Sequence, residues 1–157
     1  MNVRIAAQPP HDVRSGSDSG RVGHILITMR RTLRQLEDLG PVDADLLARN
    51  STAGLVVERV LANLMDMAFD INCLVARCRP APRSFAESCE RAVEAGLIDD
   101  DLAHALVPEE GPHHVVMQLS LDTDPGEVEM IVAGALSAFQ EFERRAIEWS
   151  GRDGIVV

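Results

Sequence analysis

The chain contains no lysine and no tyrosine, and its 157 residues include one tryptophan and four phenylalanines. Every basic side chain is therefore an arginine, and no phenol is available as an acid, a nucleophile or an acceptor of a modifying group. Cysteine is sparse: Cys73, Cys78 and Cys89 make an odd number without metal-ligand clustering, which excludes a disulfide framework and predicts buried, reduced thiols. No apolar run approaches the roughly 20 residues that cross a bilayer, and residues 1–8 lack the hydrophobic core of a signal peptide. The expectation is a cytoplasmic protein with no membrane partner. What the chain has is a 46% hydrophobic fraction, enough at this length for one domain with a real core.

Charge is abundant but lopsided. The net charge is −10, divided into +2 over residues 1–41 and −12 over residues 42–157. Nucleic-acid binding generally rests on neutralising phosphates with Lys or Arg. An acidic body disfavours it, so any RNA contact has to be local or shared with a partner.

Along the chain, residues 1–20 contain Pro9-Pro10 and a Ser/Gly-rich run, and are expected to be a flexible N-terminal arm. From Arg21, Val22, Ile25, Leu26, Met29, Leu33 and Leu36 recur at three- and four-residue steps, which predicts a helix ending at Gly40-Pro41. Asp43 or Asp45 is a candidate cap for the next segment. A second long helix is expected from about Ser51 through Val75, roughly 27 residues long, and it stops before Pro80. Ser84, with Glu87 three residues on, has the capping-box spacing for a short helix that Gly96 ends. The acidic run at residues 99–101 favours another short helix, because carboxylates stabilise exposed N-terminal amides. Asp124-Pro125-Gly126-Glu127 then opens a third long helix carrying Val128, Val132, Ala135, Phe139 and Phe142, which fades at Gly151.

Only residues 115–121 are ambiguous between helix and strand. The fold class expected is therefore all-α, an antiparallel helical bundle of three long and two short helices over residues 21–150, followed by a tail at 151–157.

The order VVERVLANLMDMAFDINCLVARCRPAPRSFAESCERAVEAGLIDDDLAHAL, then GPHHVVMQLSLDTDPGEVEMIVAGALSAFQEF, resembles the HepT branch of the HEPN superfamily over about residues 20–148. The most specific parts are Val57-Glu58-Arg59, the turn at residues 94–99 and the Asp-Pro-led final helix. The resemblance implies an all-helical homodimer that cuts RNA without a metal or cofactor. It also implies silencing by a nucleotidyltransferase antitoxin encoded beside it, in a toxin-antitoxin pair.

In that family the junction before the last long helix reads Gly-x-Arg-Asn, three apolar residues, then His-x-Tyr. The Arg and His carry cleavage at the dimer cleft, and the Tyr receives adenylate from the antitoxin. Residues 111–125, GPHHVVMQLSLDTDP, align with this strip without gaps. The Arg position then falls on His113, the Asn on His114, the His on Gln118 and the Tyr on Ser120. Gln118 cannot exchange a proton near pH 7, and His113 lacks the guanidinium fork that grips a phosphate. Catalysis is therefore expected to be impaired, and tyrosine adenylation is impossible.

His113 and His114 are the candidate catalytic pair, since two imidazoles can serve as base and acid and a symmetric dimer would bring four to one cleft. The plainer alternative is a degenerate site kept for binding. A metal held by the two histidines with Glu109 and Glu110 suffers from geometry, because adjacent side chains on a helix diverge. Asp122 and Asp124 have a metal-like spacing, although capping explains Asp124. Asn50-Ser51-Thr52 matches a glycosylation sequon but reads as a helix-start turn. The Arg4 and His11 spacing encloses Pro9-Pro10 and is treated as chance. Glu58 is a candidate for the cleft side of the second long helix, while His24 and His104 have no assigned role.

Overall fold

The computed structural model describes residues 13–50, 52–107 and 124–152. Among them are six helices and no strand: α1 Val13–Asp38, α2 Ala44–Arg49, α3 Ala53–Val75, α4 Phe85–Glu94, α5 Asp100–Leu106 and α6 Pro125–Arg152. The fold is all-α and bundle-like. None of these helices is long and apolar enough to cross a membrane.

The three long helices form the frame. α1 and α6 lie side by side, with Arg30 Nε 2.7 Å from Glu143 Oε1 and the Gln140 amide donating to Glu37. Residue numbers rise along α1 as they fall along α6, so this pair is antiparallel. α3 packs on α1, and α4 and α5 close the far side against α3 and α6. The core is built from one stripe of each helix: Val22, Leu26, Met29, Leu33 and Leu36 on α1, and Val57, Leu61, Leu64, Ala68 and Ile71 on α3. Val128, Val132, Ala135, Phe139, Phe142 and Ala146 complete it from α6. These are the three- and four-residue steps that place side chains on one helical face. Phe85 of α4 stacks on Phe139 at a centroid distance of 6.5 Å and an interplanar angle of 27°, which pins the short helix to the middle of α6.

Local chemistry sets most helix ends. Asp43 Oδ1 accepts from Leu46 N–H at 2.8 Å, Ser84 Oγ from Glu87 N–H at 3.1 Å, and Asp99 Oδ1 from Leu102 N–H at 2.9 Å. Glu87 reaches back one residue further than a regular capping box, to the Arg83 N–H at 2.9 Å. α4 ends in a Schellman motif: Leu97 N–H bonds Ala92 C=O and Gly96 N–H bonds Val93 C=O, both at 2.9 Å, with Gly96 at φ +74°. Only a residue without a Cβ adopts that φ freely.

Three expectations change. α1 starts at Val13, inside the stretch assigned to the arm, despite the low helix propensity of its Ser and Gly residues. Ser19 is buried and continues the stripe of Val22 and Leu26, so tertiary contact outweighs propensity there. The second long helix has 23 residues, starting at Ala53. The preceding segment forms its own short helix, α2, because Asp43 caps it and the extended Asn50 stops it. The Asn50 side chain then accepts from the Thr52 N–H at 3.1 Å and hydroxyl at 2.8 Å, so Asn50 and Thr52 are joined just ahead of α3. The described residues therefore hold three long and three short helices. Residues 1–12 and 153–157 and the ambiguous 115–121 lie outside the described residues.

Candidate functional site

His113, His114, Gln118 and Ser120, together with Glu109, Glu110 and Asp122, lie outside the described residues. What is described is the framework on either side of them. Upstream, α5 ends with Leu106 buried in the core and Val107 as its C-cap. Downstream, Asp124 starts α6: its carbonyl accepts from Glu127 N–H at 3.0 Å and Val128 N–H at 3.2 Å, and its Oδ1 from Gly126 N–H at 3.3 Å. The Asp-Pro start therefore works as a helix cap, which accounts for Asp124 without a metal.

Beside the first turns of α6 is a groove of about 410 Å³, lined by Leu36, Glu37, Gly40, Pro41 and Val42 on one side and Glu129, Val132, Ala133 and Leu136 on the other. Its floor is aliphatic and its two ionisable lining residues are carboxylates. Gly40 at φ +69° lets the chain turn sharply after α1 and opens this side of the groove. Sequence reading marked Gly40-Pro41 only as a helix end. The groove itself depends on how α1 meets α6, which no local pattern encodes. Its chemistry suits an apolar or amphipathic contact; its lining residues include no imidazole or thiol for proton transfer.

A second candidate surface lies on α3. Leu55 is 66% exposed and Val56 42% exposed, next to exposed Arg59 and half-buried Glu58. Met130 on α6 is 74% exposed and Ile27 on α1 54% exposed. Periodicity assigned Val56 to the core face, but it sits at the edge of that face and reaches solvent. His24 and His104 are exposed on α1 and α5.

Among the described residues, an ion-pair network lies where the start of α5 meets the C-terminal half of α6. Arg145 Nη2 is 2.8 Å from Asp99 Oδ2, and its Nε is 2.8 Å from Glu141 Oε1; Arg144 pairs with both Glu141 and Glu148. Hydrogen bonds from Arg144 and then Arg145 hold the Glu141 carboxyl down to about 2. The Leu102 N–H, and after it the Arg145 charge, hold Asp99 below its usual range. The Asp99–Arg145 pair ties the N-cap of α5 to α6, and the other pairs run along α6 itself.

The cysteines also differ from the expectation of uniformly buried thiols. Cys89 is buried beside Asn72, whose Nδ2 lies 3.7 Å from its Sγ, and burial pushes its thiol up to about 11. Cys73 and Cys78 are only half-buried and meet each other at the end of α3. Among the described residues, no group of three or more His, Cys, Asp and Glu side chains is placed to hold a metal ion.

No protein-family model matches the chain, and a search of curated proteins returns no match.

Proposed function

We propose that this chain is a HepT-like HEPN protein of a toxin-antitoxin type system, related in design to metal-independent ribonuclease toxins but impaired in catalysis. The observation that carries this reading is the strip at residues 111–125, which keeps the Gly and Asp-Pro frame of the family motif. Its Arg, His and Tyr positions are replaced by His113, Gln118 and Ser120. The helical order supports it: a short helix, the strip, then a capped 28-residue helix starting at Asp124-Pro125. The charge of −10 and the absence of Tyr weigh against RNA turnover and against regulation by tyrosine adenylation.

A second reading is favoured by the exposed Leu55, Val56 and Met130 and by the groove beside α6. In it the chain is a non-catalytic HEPN module that forms a homodimer and binds a nucleotidyltransferase partner. Light scattering on the purified chain should give the mass of a dimer. Mixing with a nucleotidyltransferase encoded beside it, plus ATP, should give a stable complex without adenylated protein. A monomer that forms no complex would count against both readings. Adenylate found by mass spectrometry on Ser120 would show that the regulation has moved to a hydroxyl, and would overturn the claim that it is lost.

A further inference from the structure

The end of α3 brings two thiols together by backbone geometry alone. The helix C-cap is Ala76, whose N–H bonds Asn72 C=O at 2.9 Å, and the next residue, Arg77, adopts φ +48°. Cys78 N–H then bonds back to Cys73 C=O at 3.2 Å. This is the six-to-one bond of a Schellman motif, which sets the two bonded residues side by side at the helix end. Here both are cysteines, near enough for Cys78 to help hold the proton on Cys73, while Cys78 Sγ also lies 4.0 Å from the Asn72 carbonyl oxygen. α4 closes with the same six-to-one bond but uses Gly96 at the left-handed position, where α3 uses an arginine.

The surroundings are as unusual as the pair. Residues 76–83 read ARCRPAPR, three arginines and no acid in a chain of net charge −10. Arg83 pairs with Glu87 at 3.6 Å, whereas Arg77 and Arg79 are exposed and make no ion pair among the described residues. Cys78 sits between them. Cys73 is half-buried like Cys78, with burial and then Cys78 and Asp70 keeping its proton on. The site thus offers two half-buried thiols brought to one helix end by the Cys78 N–H to Cys73 C=O bond, one of them placed in the chain between two exposed arginines.

We propose that Cys73 and Cys78 are a redox modification site, which an anionic low-molecular-weight disulfide of the glutathione type oxidises to an intramolecular disulfide, with Arg77 and Arg79 drawing the oxidant in. Cys78 reacts first: its thiolate attacks one sulfur of the small disulfide, that S–S bond breaks, and the released thiolate takes up a proton. The mixed disulfide on Cys78 is then attacked by Cys73, whose proton passes to the second departing thiolate. The protein loses two protons and two electrons, the small disulfide becomes two small thiols, and one S–S bond joins the residues at the α3 terminus. Cys89, buried on α4, takes no part.

The test uses the full chain, reduced and then exposed to oxidised glutathione, with intact mass and peptide mapping as readouts. Expected are the loss of two hydrogens, a Cys73–Cys78 link and the same result in Cys89→Ser. Cys73→Ser should accumulate a glutathione adduct on Cys78, and Cys78→Ser should stay unmodified. Paired Arg77→Glu and Arg79→Glu changes should slow oxidation by glutathione disulfide roughly tenfold, while the neutral bis(2-hydroxyethyl) disulfide reacts at the wild-type rate. A chain that keeps both thiols, a link through Cys89 or to a second chain, or equal slowing with both oxidants overturns the proposal.

Discussion

Removing the Phe139 ring tests the packing that seats α6, and with it the end of the strip that α6 follows. Phe139 is fully buried at the centre of α6, and Phe85 of α4 stacks on it at 6.5 Å. A buried Phe→Ala change costs about 3–5 kcal/mol, combining lost transfer energy with the cavity left behind, and full burial puts Phe139 near 4. Phe85 is half-buried, so its truncation should cost about 2 kcal/mol, roughly half as much. The stacked pair contributes about 0.5–1.5 kcal/mol beyond area, so the double variant should cost about 5 rather than 6 kcal/mol. Urea unfolding of the four proteins measures all of this. For a chain of this length, each kcal/mol corresponds to a fall of about 2–4 °C in Tm. A cost below about 2 kcal/mol for Phe139→Ala, or strict additivity with Phe85→Ala, would refute the placement of α4 against α6.

Other expectations rest on single features. Ser84→Ala removes the N-cap acceptor of α4 and should lower stability by about 1 kcal/mol in the same assay, while Ser84→Asp should restore most of it. Glu141 titrates in the folded chain at about 2 because Arg144 and Arg145 hold its charged form. Its stabilising contribution is present above the ordinary carboxylate range and is lost as the pH falls through about 2. Glu141→Gln should therefore narrow the stability gap to wild type as pH drops, and a carboxyl carbon titration by NMR should find the low midpoint; a midpoint near 4 would remove the network. Leu55→Asp with Met130→Asp changes exposed positions, so monomer stability should move by less than about 0.5 kcal/mol. In the proposed dimer, light scattering should show weaker self-association than wild type, and an unchanged dimer would place the interface elsewhere.

Much of the fold could be read from spacing. The α1 stripe from Val22 to Leu36, the α3 stripe through Leu64 and Ile71, and the α6 stripe through Phe139 are buried as periodicity required. Ser84 caps α4 as its capping-box spacing required, and the acidic run at residues 99–101 does open α5, with Asp99 as the cap. The misses share one cause. Ser19 joins the core and carries α1 back to Val13 because a neighbouring surface outweighs Gly/Ser propensity, and Val56 is exposed because a stripe's edge looks the same whether covered by core or by solvent. The groove at Gly40–Val42 and the Cys73–Cys78 contact arise from turns and packing rather than residue type. A Schellman signal was available for the thiols only through Arg77 in a left-handed conformation, and arginine is not the residue that announces one. The candidate site rests on the sequence argument alone, since His113, His114, Gln118 and Ser120 lie outside the described residues.

The central claim is that the strip has kept its frame and lost its chemistry. Incubation of the purified chain with single-stranded RNA in the presence of a chelator tests it most directly. The account predicts intact RNA, with no difference between wild type and His114→Ala. Metal-independent cutting that His114→Ala abolishes would contradict it, and would show that the displaced imidazoles still cleave.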